Sequence, residues 1–235
     1  MFYLDSAKVY RVTELDTFPW LLHGFGTRLA NIPALFAQLA TLKQIHSSSC
    51  VAAEGRAGLL GEGDALLENQ PGSVVAVKTA DCIPVLLVDE RLRAVSAVHA
   101  GWRGTVAGIV AEAVAAMGKR FGTRPEDLHA AVGPGIGVCC YEVGPEVAAH
   151  FGVQERVQER AQERGQGRAH IDLSAANRRQ LEEAGVTPGR VYASNLCTMC
   201  RAGEFDSFRR DREAAGRMYS FAGIRPESPA PRAVH

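Results

Sequence analysis

Three residues carry the chemistry this sequence offers: His46, Cys82 and His99. Imidazole nitrogen and thiolate sulfur are donors that zinc prefers, and three protein ligands leave the fourth corner of a tetrahedral ion open. Water bound at that corner loses a proton near neutral pH and becomes a nucleophile. The spacing of the three along the chain matches no compact zinc motif. Two other readings therefore stand beside the metal one. His99 can be a hydrogen-bonded core histidine and Cys82 an ordinary buried cysteine. Alternatively, Cys82 can be a nucleophile with His99 as its base, and Asp81 or another carboxylate can orient the imidazole. Spacing does not separate these.

Other stretches offer weaker chemistry. HAGWRGT, 99–105, places Gly101 and Gly104 at a tight turn into a helix, with Arg103 beside free amides that suit an anion; the same pattern is also a plain capping turn. GPGIG, 133–137, is a nest of backbone donors or a bend. Cys197 and Cys200 form a CxxC, half of a zinc site or a redox pair. Cys139 and Cys140 could complete four ligands, but their adjacency argues for poor chelate geometry, so a second zinc is not expected. Arg201, Arg209, Arg210, Arg212 and Arg217 make a basic C-terminal region, either a solvated surface or a wall for an anion.

The elements that must position these residues are clearest in the centre. SVVAVKTA (73–80), IPVLLVD (83–89) and RAVSAVHA (93–100) are near-continuous apolar runs, the pattern of strands buried on both faces. His99 and Cys82 fall at the ends of such strands, beside turns, where side chains face clefts. A helix follows over 106–122, with Gly122 as its stop. Elsewhere, 33–42 has helical spacing after Pro33, and 44–54, containing His46, reads as a strand. Strand patterns also appear at 8–14, 61–68, 127–134, 190–195 and 216–224. A short helix is expected at 144–151, and within 171–186 Ser174 stands, as a cap would, before a helical pattern that ends near Gly185. The near-repeat QERVQERAQERGQGR, 154–168, is too polar for a buried face and reads as a loop or solvated helix extension. Residues 225–235 read as a flexible tail. Strands and helices interleave without a linker, which implies an α/β-type single domain over 1–235.

Bulk properties exclude several classes. Lys plus Arg equals Asp plus Glu, at 26 each, so nothing favours nucleic acid or an acidic membrane surface. No apolar run reaches the roughly 18 residues of a membrane helix, and the N-terminus lacks a secretory pattern. Six cysteines in 235 residues are too few for a disulfide scaffold. A cytoplasmic protein, and a monomer, is the expectation.

Several stretches together resemble the YfiH-type family, known as laccase-domain or multicopper polyphenol oxidase proteins and later as purine nucleoside phosphorylases. They are HGFGTR (23–28), LKQIH (42–46), GDALL (63–67), VKTADCIPVLLVD (77–89), AVHAGWRGTVAGI (97–109), AVGPGIGVCCYEVGPEV (131–147), IDLSAANRRQLEEAGV (171–186), CTMC and SFRRDREAAGRM (207–218). They run in family order over most of the chain. The resemblance implies a mixed α+β fold, sheets flanked by helices, and zinc held by His46, Cys82 and His99. It implies phosphorolysis of adenosine, inosine and methylthioadenosine, with adenosine deamination as a side activity. On that basis Arg28, Gln44 and Arg103 are expected at nucleoside and phosphate, and Asp81 as proton carrier or orienter. The sequence departs from the family in its short segment between Arg28 and Gln44, and in Ser47, where a glycine is usual.

Four alternatives remain. One is a metal-free cysteine hydrolase using Cys82 and His99. A second is a hydrolase editing peptidoglycan precursors. A third is a copper polyphenol oxidase, since the same donors accept copper; a single such site lacks the coupled copper cluster of four-electron oxygen reduction. The fourth is a zinc-stabilised binding module.

Overall fold

The computed structural model describes residues 1–151 and 169–226. The chain opens with β1 (Phe2–Leu4), β2 (Val9–Val12), β3 (Leu21–Gly26), the one-turn helix α1 (Ile32–Leu35) and β4 (Leu39–Lys43). Next come β5 (Cys50–Ala52), β6 (Gly58–Glu62) and β7 (Ala65–Glu68), then the central run β8 (Val74–Thr79), β9 (Ile83–Asp89) and β10 (Ala94–Ala100). Helices α2 (Trp102–Val106) and α3 (Ile109–Phe121) follow, then β11 (Leu128–Val132), β12 (Glu142–Val143) and α4 (Pro145–Ala148). The chain continues through β13 (Ala169–His170), α5 (Leu173–Glu183), β14 (Val191–Ala193), α6 (Phe208–Asp211) and β15 (Met218–Ile224).

These form two large mixed sheets and a short ladder. One sheet has the order β1-β2-β3-β15-β8-β4-β6, the other β14-β11-β9-β10-β7-β5, and β12 pairs with β13. Alternation along β9 shows the layering. Leu86 and Val88 pack with Phe25, Val75 and Val77 of the first sheet. Val85 and Leu87 pack with Ile109, Val110 and Ala113 of α3 and Leu181 of α5. The second sheet therefore lies between helices and the first sheet, and its central strands are buried on both faces. Each fully buried Leu, Ile or Phe contributes about 1.5–3 kcal/mol. The continuous apolar runs of β9 and β10 thus report a middle layer, in which the two pair antiparallel.

Local rules explain the helix ends. Gly122 closes α3 with φ of 78°, a left-handed cap that a Cβ disfavours. Gly108, at φ 75°, separates α2 from α3, so the helix expected over 106–122 begins at Ile109. In α5 the cap is Asp172, whose carboxylate accepts from the Ala175 amide, and not Ser174.

Two other expectations are corrected. The helix expected over 33–42 stops at Leu35, and Leu39–Lys43 is strand β4. Leu39 and Ala40 pair in parallel with Val74 and Val75, and Ala40 and Leu42 are buried, so sheet pairing outweighs helical spacing. The strand expected over 44–54 is a loop through Ser49, with only Cys50–Ala52 extended. The QER run and residues 227–235 lie outside the described residues. No helix among the described residues is long and apolar enough to cross a membrane.

Candidate active site

Strand register brings the three donors together. Ile83 pairs with Ala100 across β9 and β10, so one step beyond the ladder Cys82 faces Gly101, with His99 next to it. On the other side of β10, Ala65 pairs with Val98, and the His99 amide donates to the Asp64 carbonyl at 2.7 Å. His46 arrives from the loop after β4, with a left-handed φ of 58°. The metal-binding atoms of His46, Cys82 and His99 lie within 4.8 Å of one another. The two imidazoles meet edge to face, centroids 4.8 Å apart.

Asp64 holds this arrangement, and the sequence reading missed it. Its side chain is fully buried. It accepts from the amides of Ile45 (3.3 Å), His46 (3.0 Å) and Ser47 (2.6 Å), and from the Ser47 hydroxyl (2.8 Å). It also lies 2.8 Å from Nδ1 of His99. Capturing three consecutive amides is why 44–49 is a loop and not a strand. Ser47 adds its hydroxyl to that set. A carboxylate on Nδ1 directs Nε2 of His99 toward Cys82 and raises the basicity of the ring.

Charge follows from these contacts. Burial opposes ionisation of Asp64, but the bonds from His99 and Ser47 outweigh it and bring its pKa down to about 2. Burial likewise disfavours charge on His99, yet Asp64 and Cys82 raise it to about 9. The Cys82 thiol, which burial would push up, is drawn down to about 6 by hydrogen bonds with His46 and His99. These contacts favour the charged forms of the Cys82 thiol and the His99 ring. The donor set suits a metal: two nitrogens and one sulfur converge, with a carboxylate behind one ring. Gly101 is part of the fit. A Cβ there would sit 2.9 Å from Cys82 Sγ and 2.9 Å from His46 Nδ1.

The trio lies in a cleft of about 620 Å³. Arg103, Arg209 and Arg217 line it, with Lys43 and Lys78, and so do the aromatic rings of Trp102, Tyr141 and Phe208. Each arginine covers one ring: Arg103 over Trp102 at 4.4 Å, Arg209 over Tyr141 at 5.4 Å, Arg217 over Phe208 at 5.9 Å. Among the described residues the Arg103 guanidinium has no hydrogen-bond or ion-pair partner.

The other expected site residues fall differently. Gln44 lines the cleft, but its amide is clamped both ways to the Lys78 backbone, at 2.7 Å each. Asp81 lines it too, yet its carboxylate accepts from the Thr198 hydroxyl (2.6 Å), the Ser207 hydroxyl (3.1 Å) and the Arg209 amide (2.6 Å). It anchors the C-terminal segment, and the orienting carboxylate is Asp64. Arg28 does not line the cleft: its guanidinium bonds the Ala202 carbonyl at 2.9 Å and faces Asp206 at 3.6 Å. The backbone of 133–137 is not an anion nest, because its amides are spent on Pro84, Leu196, Asp81 and Cys197. Of the C-terminal arginines, Arg209 and Arg217 form the cleft wall, while Arg210 is tied to the carbonyls of Thr198, Met199 and Phe205.

Fold and trio together define a class, that of mixed α/β proteins with a three-donor site at converging strand ends. The chain belongs to the family described as multi-copper polyphenol oxidoreductase laccase, whose model matches residues 27–225. It is 44% identical over 185 residues to a purine nucleoside phosphorylase of Deinococcus radiodurans, covering 79% of this chain and 70% of that protein. It is 42% identical over 166 residues to adenosine deaminase RL5 of an unknown prokaryotic organism, covering 68% of this chain and 61% of that protein. The alignments thus span about two thirds of these relatives' length. The crystal structure of YlmD from Geobacillus stearothermophilus superposes with a TM-score of 0.85 at 26% identity, covering 95% of this chain and 98% of that one.

Proposed function

We propose that the chain is a zinc-dependent purine nucleoside phosphorylase, acting on adenosine, inosine and methylthioadenosine, with adenosine deamination as a side activity. The observation that carries this reading is the convergence of His46, Cys82 and His99 at the foot of an arginine- and aromatic-lined cleft. The names of the relatives support the reaction class.

A zinc ion on this trio would supply Lewis acidity and an acidified water. The chain's own residues do the rest. Arg103, splayed on Trp102 and otherwise unpaired among the described residues, presents its fork to phosphate. Arg209, Arg217 and the two lysines spread positive charge along the wall, where a dianionic nucleophile and its product need it. The faces of Tyr141 and Phe208 suit a purine ring. Asp64 keeps Nδ1 of His99 occupied, so that only Nε2 faces the reacting groups.

Metal-quantified protein incubated with adenosine and phosphate should yield adenine and ribose-1-phosphate, with inosine as the minor product. Cys82→Ala should lose the metal at the trio and all turnover. Arg103→Ala should raise KM for phosphate by about tenfold or more, the cost of one charge-assisted hydrogen bond. Full activity of Cys82→Ala would sink the reading. A second reading rests on the Cys82 thiol, which its two histidine neighbours draw down to about 6. A cysteine hydrolase would keep its activity after chelation; the phosphorylase would lose it.

A further inference from the structure

Four thiols that the proposed reaction does not use converge on one side of the cleft wall. Cys139 and Cys140 lie in the turn between β11 and β12, and Cys197 and Cys200 follow β14. All four sulfurs lie within 4.8 Å of one another, and all are free. Cys200 Sγ is 3.6 Å from that of Cys139 and 3.3 Å from that of Cys140. A tetrahedral zinc with bonds of about 2.3 Å sets its sulfurs about 3.8 Å apart, whereas a disulfide needs about 2.05 Å. The spacing is that of ligands around a cation.

The backbone is built to hold the sulfurs there. Gly135 and Cys197 form a parallel bridge, with Gly135 donating to the Leu196 carbonyl at 3.2 Å and Thr198 to the Gly135 carbonyl at 3.0 Å. The amides of Cys140 and Tyr141 both donate to the Gly137 carbonyl, a tight turn that brings two adjacent cysteines to one centre. This is how the adjacency that argued against chelation is overcome. The Gly137 amide donates to Cys197 Sγ at 3.2 Å. Amide donors of this kind favour thiolate over thiol. Gly137 leaves the sulfurs room: a Cβ would come 3.1 Å from Cys197 Cβ and 3.2 Å from Cys139 Sγ, tighter than ordinary van der Waals contact.

We propose that Cys139, Cys140, Cys197 and Cys200 form a second, closed tetrathiolate site that binds Zn2+ independently of the His46–Cys82–His99 trio. Four soft donors with no open corner select a structural zinc. The site clasps the Cys197–Cys200 loop to the turn after β11. That loop carries Thr198, whose hydroxyl bonds Asp81, and the turn leads into Tyr141, on which Arg209 stacks. The clasp thus braces the cleft wall without touching the reacting groups.

The test begins with Cys82→Ser full-length protein, which lacks the first site's thiolate, loaded with zinc under reducing, anaerobic conditions. It should retain about one equivalent of zinc, with an X-ray absorption shell of four sulfurs at about 2.3 Å. Cobalt in its place should show thiolate charge-transfer and tetrahedral bands. Adding Cys197→Ser and Cys200→Ser should remove that equivalent. No retained zinc, or nitrogen or oxygen in the shell, would overturn the proposal. If Cys82→Ser does not fold, the parent chain decides by alkylation. Zinc should shield Cys139 and Cys200, exposed though they are, and a chelator should unshield them. Alkylation of both at equal rates with and without zinc would overturn it equally.

Discussion

Asp64 is the residue on which the site geometry turns. One buried carboxylate accepts from three amides, a hydroxyl and the His99 ring, and so sets both the loop that carries His46 and the tautomer of His99. Asp64→Asn keeps the volume but replaces one acceptor oxygen with a donor that opposes those amides. Removing such a partner behind a metal-bound imidazole costs about 10–100-fold in affinity. Zinc competition against a chromophoric chelator should show that loss at the trio; an affinity equal to the parent's would mean that Asp64 serves the fold alone. His46, Cys82 and His99 were legible as donor types. Asp64 was not, because an aspartate in a short GDALL stretch looks like any turn residue until strand pairing places it beside His99.

At the scale of elements, pairing and capping decided where the sequence signals conflicted. Residues 33–42 carry helical spacing, yet the segment divides into α1 and β4 because Leu39 and Ala40 gain sheet partners in β8. The start of α5 shows the same dependence on local geometry: Asp172 accepts from the Ala175 amide and Ser174 lies inside the helix. Asp172→Ala should lower stability by about 1 kcal/mol, the usual value of a cap, and Ser174→Ala should change it by less than about 0.5 kcal/mol. Urea midpoints for the two variants check this, and the reverse order would return the cap to Ser174. The apolar runs of β8, β9 and β10 were read correctly as strands buried on both faces, since burial on two sides leaves no polar alternation to mistake.

For the whole molecule, stability depends on a buried histidine that does not line the cleft. His23 on β3 is 3% exposed, and its Nε2 accepts from the Val12 amide at 3.0 Å, so the folded state holds the ring neutral. Burial lowers its pKa from 6.5 to about 4. The unfolded chain then binds the extra proton between those values. Stability is fully present above pH 6.5 and falls as pH drops toward 4, by about 3 kcal/mol for this group. His129, also pushed down by burial, adds to the same slope. Thermal midpoints across that range should decline with acidity, and the decline should flatten in His23→Gln. An unchanged slope in that variant would assign the acid sensitivity elsewhere.

The sequence by itself determined the mixed α/β character, the central strands and the chemical types of the candidate donors. Each depends on periodicity or on side-chain chemistry, which are local properties. Tertiary structure alone decided which donors meet. Strand register placed Asp64 behind His99, withdrew Arg28 to the Ala202 and Asp206 loop, and tied Asp81 to Thr198 and Ser207. It also gathered the four outlying cysteines. Such meetings join residues far apart in the chain, and no local pattern encodes a distance that only the pairing of sheets creates.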